Sequence, residues 1–275
     1  AVNKKLRRRL LDLNRARSLG ERIKAALKGF SFGEFKPEFP GVAEPRTGKS
    51  MGESCEDMAK QWQIRREDQD LLAYESHQKA AAAYARGFYS DLVMPLRGLD
   101  KDNILRPDTT LEKLATLKPA FDKRSGNGTL TAGNSTNLSD GASAALLSSE
   151  AWAQANGKEI QAYLVDAQVA AVDFVAGEGL LMAPAWAVAQ LLKRNNLKLQ
   201  DFDFYEIHEA FAAQVLSCQM AFDSESFGKE KLGLSSKLGT IQTEIMNVNG
   251  GAIALGHPVG ATGTRLIITL MKEMK

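Results

Sequence analysis

A chain of 275 residues with 44% hydrophobic side chains is long enough for about two domains with real cores. It contains no apolar run of membrane-spanning length and no signal-peptide apolar region near its start, so a cytoplasmic address is the expectation. The net charge of +2 at pH 7 hides an asymmetry: residues 1 to 30 hold ten Lys or Arg against only Asp12 and Glu21, and the rest of the chain is net acidic.

Within that basic stretch Leu6, Leu10, Leu13, Ile23, Leu27 and Phe30 recur at spacings that predict one or two amphipathic helices. Such a segment suits an anionic membrane surface or an acidic partner, and equally a helix with a solvated face and an apolar side packed at home. No nucleic-acid-binding motif or interleaved aromatic pattern accompanies the charge, so no nucleic acid is expected. Residues 29–53, rich in Gly, Pro, Phe and Glu, read as an irregular crossing. From 53 to 88 the apolar residues return at three and four spacing, with Ser54 ahead of Asp57 in a capping-box-like pattern, and helices are expected. His77 falls among polar neighbours there and reads as a surface residue. A Pro/Asp-rich link over 95–108 leads to the short helical pattern "TLEKLATL" and then to a turn-rich stretch, 122–147. Strands and helices are expected to alternate through 160–275, an α/β signature.

Two dense motifs carry chemistry. In "DFYEIHEAFAAQ", residues 203–214, an alternating apolar strand delivers His208 and Glu209 to the start of a helix. In "AIALGHPVGATGTRL", residues 252–266, the pattern predicts strand, glycine-rich loop and helix, with His257 aimed between Gly256 and Pro258. Strand-to-helix junctions are where α/β proteins place ligands. Two neutral imidazoles at such junctions suit donation to an oxygen that gains charge in a transition state, although a structural turn with an incidental histidine has the same local signature. The chain has three histidines, and no carboxylate or thiol has spacing that completes a ligand set, so no metal is expected. Cys55 and Cys218 form neither a disulfide framework nor a metal pattern, and are expected as reduced thiols.

Taken in order, "MGESCEDMAKQW", "GTLTAGNSTNLSDGASA", "HEAFAAQ" and "NGGAIALGHPVGATGTRL" resemble the thiolase family, the 3-ketoacyl-CoA acyltransferases. The histidine of "HEAFA" and the basic N-terminal stretch resemble the branch containing the thiolase subunit of the fatty-acid β-oxidation complex. The resemblance implies an α/β, thiolase-like layered fold: a mostly helical loop domain over 1–138, a remnant of the N-terminal half over 139–160, and a C-terminal half over 161–275 that is incomplete at its end. It implies acyl transfer to CoA with release of acetyl-CoA, with CoA as substrate and no cofactor. His257 is implied as a donor to the thiolester enolate oxygen, and His208 as the residue that holds the oxyanion-hole water. Phe211 is implied as a pocket wall, Met51 in the pantetheine channel, Thr136 near the CoA amides, Arg106 near the adenine, and Gly256 at the substrate.

The family's nucleophilic cysteine belongs to its first half and its acid/base cysteine to a glycine-rich C-terminal segment. By resemblance neither is in this chain, which looks truncated and inactive by itself. Implied partners are acyl-CoA, a second copy through the thiolase halves, the hydratase/dehydrogenase subunit of a β-oxidation complex, and peripheral contact with a membrane. The alternative is a noncatalytic thiolase-like module that binds a partner subunit, a membrane or CoA.

Overall fold

The structure is a computed structural model that describes residues 3–36 and 41–275. The chain divides into two compact units, 1–48 and 49–275.

In the first unit the two expected amphipathic helices form, α1 (Lys4–Arg15) and α2 (Leu19–Leu27), followed by a 3-10 turn at Phe32–Phe35. Ser18 and Glu21 close a reciprocal capping box on α2. Neither helix buries a residue. What ties the unit together is Arg9, whose guanidinium grips both oxygens of Glu34 and donates to the carbonyls of Ala25 and Ala26. Leu10, Leu19, Ile23, Leu27 and Phe32 remain exposed.

The second unit is built around α4 and α8. Helix α3 (Met51–Gln61) starts one turn earlier than the sequence pattern suggested: the capping box is Ser50 with Glu53, while Ser54 lies buried inside the helix. Helix α4 (Arg66–Ala85) buries Leu72, Ala73, Ser76, His77, Ala80 and Ala83, so the expectation of a surface His77 is wrong. Position 77 shares a helix face with 73, 76 and 80, and the 104–106 segment covers it, with the Arg106 N–H donating to His77 Nδ1 at 3.2 Å. After the link come α5 (Leu111–Ala115), α6 (Glu150–Ala155) and α7 (Ala183–Asn195). Helix α8 (Ala212–Phe222) is apolar nearly all round and buries Ala212, Ala213, Val215, Cys218, Ala221 and Phe222 against α3, α4 and α7. Short α9 (Glu225–Glu230) and α10 (Ala252–Leu255) precede α11 (Val259–Glu273).

Two strand expectations fail. Residues 252–255 form one helical turn, with the Gly251 carbonyl accepting from Ala254 and Leu255. A four-residue apolar run carries no period to distinguish the two states. Gly260 and Gly263 accordingly lie inside α11 rather than in a loop. Among the described residues, segment 202–207 makes one isolated β-bridge, Tyr205–Met246, and no ladder. Among the described residues the extended segments of 160–275 make isolated bridges and no named strands, so the arrangement is α/β in layering, with its helices far better formed than its strands. No helix among the described residues is long and apolar enough to cross a membrane.

Candidate active site

The two histidines, 49 residues apart in the chain and each just ahead of a helix start, meet: their ring centroids are 4.3 Å apart with planes at 42°. One extended stretch, 134–139, arranges this. Asn134 accepts from the Ala212 N–H and Thr136 donates to the Ala210 carbonyl, both at 3.0 Å, gripping the junction that carries His208. Asn137 accepts from the His257 N–H at 2.8 Å, and Ser139 donates to the His257 carbonyl at 3.2 Å. The stretch is itself anchored at Asn134, which donates to Asp70, the ion-pair partner of Arg66.

Glu209 fixes the same region from behind. Its carboxylate is 2% exposed and accepts from Ser76 Oγ and Asn247 Nδ2, each at 2.7 Å, and from the Ile253 N–H at 3.2 Å. Gly251 must be glycine for this to fit, since a Cβ there would fall 2.1 Å from the Glu209 carboxyl carbon. Gly256 is equally constrained: at φ +84° it turns the chain into His257, and a Cβ would meet Ser139 Oγ at 2.6 Å.

The electrostatics keep both rings neutral. Burial, the neighbouring His257 and the charge of Arg265 push His208 down to about 4. Burial, then Arg265, also lowers His257. His257 Nδ1 lies 2.7 Å from Thr262 Oγ1, whereas both nitrogens of His208 are buried without a partner among the described residues. A buried imidazole with two unused nitrogens is held ready for a ligand or water. Among the described residues no group of acidic, cysteine and histidine side chains is arranged to hold a metal ion.

The other expected site residues fall in three places. Phe211 is the N-cap residue of α8; it is 8% exposed and packs edge-on against Phe121. Thr136 and Gly256 lie beside the histidine pair, with the Thr136 hydroxyl donating to the Ala252 carbonyl at 2.6 Å. Arg106 lines a cavity of about 270 Å³ together with His77, Lys113, Asn137 and Ile253, so this cavity adjoins the stretch that holds His257. Met51 stands exposed at the start of α3. Neither cysteine has the setting of a nucleophile: Cys55 and Cys218 are buried, and burial first of all pushes both thiols up, Cys218 to about 11. The sequence reading missed Arg265, although it closes the "GATGTRL" motif, and left Glu209 without its structural role.

The family model described as thiolase, C-terminal domain, matches residues 158–275, and the thiolase, N-terminal domain model matches residues 33–151. The chain is 43% identical to 3-ketoacyl-CoA thiolases of Shewanella sediminis and Shewanella baltica, over all of this chain and 63% of each relative. Among solved structures it is similar to an acetyl-CoA acetyltransferase of Bacillus anthracis, at 33% identity and a TM-score of 0.70 over 87% of this chain and 59% of that one. The human mitochondrial 3-ketoacyl-CoA thiolase in complex with CoA matches over the same shares at 28% identity and a TM-score of 0.70. The chain thus spans 63% of the length of the curated relatives it matches.

Proposed function

Because this chain belongs to the thiolase family, we propose that the polypeptide carrying it is a 3-ketoacyl-CoA thiolase of fatty-acid β-oxidation, with CoA as a substrate. The observation that carries the reading is the neutral, closely apposed pair His208 and His257. Thiolytic cleavage expels acetyl-CoA as an enolate, whose oxygen needs preorganised donors in a water-poor place. With the Thr262 hydroxyl donating to Nδ1, His257 presents its Nε2–H to that oxygen. His208, its nitrogens uncommitted, holds the water of the oxyanion hole.

Around the pair, Phe211 walls the acyl pocket and Gly256 lets the substrate approach the backbone. Thr136, its proton committed to Ala252, offers lone pairs to a CoA amide. Met51 lines the pantetheine channel, and Arg106 with its cavity receives the adenine end. The cysteine chemistry is not supplied by Cys55 or Cys218, so the 275-residue chain alone does not turn over. We keep the division into loop domain (1–138), a short N-terminal-half segment (139–160) and C-terminal half (161–275).

A homodimer through the thiolase halves, a cytoplasmic location and docking to a hydratase/dehydrogenase subunit complete the proposal. The exposed basic and apolar side chains of α1 and α2 support the docking reading, with an anionic membrane as the alternative surface. The noncatalytic reading has no observation in its favour. The test is cleavage of acetoacetyl-CoA by the whole polypeptide: His257→Ala lowers kcat by about a hundredfold or more, and His208→Asn retains substantial activity, because an amide also holds a water. Near-normal turnover in His257→Ala overturns the mechanism.

A further inference from the structure

One charged residue acts on both rings of the histidine pair and is not used by the chemistry above. Arg265, on α11, donates from one terminal nitrogen to the Gly256 carbonyl at 3.0 Å, and its other terminal nitrogen is buried without a partner among the described residues. The Gly256 carbonyl belongs to the peptide unit whose N–H is that of His257. That unit is therefore clamped at both ends, by Arg265 on its oxygen and by Asn137 on its N–H. Gly256 itself has no room to swing, wedged against Ser139 and Ile104.

We propose that Arg265 is the positioning residue of the histidine pair: through the Gly256 carbonyl it locks the turn that aims His257 beside His208, and it sets a fixed positive charge near both imidazoles. Among the described residues no carboxylate forms an ion pair with Arg265, so the charge is not spent locally. The groups around it bear this out. Glu206, on the extended segment, is pushed up to about 8 by burial and by Glu209, against the pull of Arg265, so near neutral pH it is mostly protonated. Tyr84, from α4, donates a hydrogen bond to the Asp102 carboxylate, and Tyr89 donates to the Asn249 carbonyl. Glu273, on the same helix, is taken by Asn249 and faces Arg86. What remains for the guanidinium to act on is His208 and His257.

The inference deepens the thiolase reading, but its test measures the rings and not turnover, so either can fail alone. The chain contains only His77, His208 and His257, which makes their Cε1–H resonances assignable by single substitution. Titrated by NMR in the 275-residue chain, Arg265→Met raises the His208 midpoint, with His257 moving the same way. Arg265→Lys keeps the charge and leaves both midpoints close to the parent. His77 is the internal control: burial and Arg106 set its value of about 4, and it stays in place. Unchanged His208 and His257 midpoints in Arg265→Met overturn the proposal. So does a common shift of all three, which reports a loosened fold. Arg265→Gln, which loses the charge but keeps an N–H donor, carries the same expectation and decides the matter if the methionine variant does not fold.

Discussion

Glu209→Gln exchanges one oxygen of an enclosed carboxylate for an amide nitrogen, removing its charge while keeping its size and shape. Every hydrogen bond Glu209 makes is accepted, from Ser76 Oγ, Asn247 Nδ2 and the Ile253 N–H. Whichever way the amide turns, its N–H therefore confronts a donor. Turned toward Asn247, the less unfavourable choice, it loses one bond and sets two buried donors against each other. A buried donor left unsatisfied costs about 1–3 kcal/mol, so two cost about 2–6 kcal/mol. Relief of the burial that pushes the Glu209 carboxyl upward offsets part of this, so the loss is expected at the lower end of the range, about 2 kcal/mol. That is a large fraction of the 5–15 kcal/mol, roughly, that holds a domain folded. Urea unfolding of the 275-residue chain, followed by the fluorescence of Trp62, Trp152 and Trp186, reads it as a lower midpoint at unchanged slope. A loss below about 0.5 kcal/mol, within the range of an ordinary surface substitution, refutes the role of Glu209 as the anchor.

Burial of Cys55 and Cys218 predicts that iodoacetamide leaves both unmodified in the native chain and modifies both in denaturant, as read by intact mass. Rapid native alkylation, or acetoacetyl-CoA cleavage by the 275-residue chain that such alkylation abolishes, contradicts their assignment as structural. For the basic segment, Arg7→Glu with Arg8→Glu weakens binding to the hydratase/dehydrogenase subunit or to anionic vesicles, and high salt weakens it likewise, since charges are screened over about 8 Å at physiological ionic strength. Arg9 is left unchanged, because its clasp on Glu34 holds the unit together. Unaltered binding of both partner and vesicle by the double variant leaves the segment a packed helix pair with a solvated face.

Much of the site was legible because its chemistry is written locally. A histidine just ahead of a helix start, or between a glycine and a proline, shows its setting in adjacent residues, and both rings stand just ahead of helices, although neither preceding segment is a strand. What was hidden depends on residues far apart in the chain. Glu209 stands next to His208 and reads as an acid, yet its partners at 76, 247 and 253 come from three other segments. His77 looks polar from its neighbours Gln78 and Lys79, and only the folded 104–106 segment buries it. Arg265 has the sequence environment of any helix arginine, because its target is a backbone carbonyl, which leaves no mark in the sequence. The strand expectations failed for a related reason: a strand is defined by its partner, and an apolar alternation names none.

The stretch that joins the two histidine junctions behaves as a ruler. Asn134 and Thr136 hold one mark and Asn137 and Ser139 the other, so the distance between the rings is counted out in backbone units. Inserting or removing one residue between Thr136 and Asn137 would displace one mark by roughly 3.3 Å and turn the following side chains to the opposite face. That displacement is comparable with the whole 4.3 Å that separates the imidazoles. The side chain of Leu138, 75% exposed, is free to drift through many residue types. The number of residues in the stretch is not: an engineer redesigning this loop can rewrite its outward letters but must preserve its length.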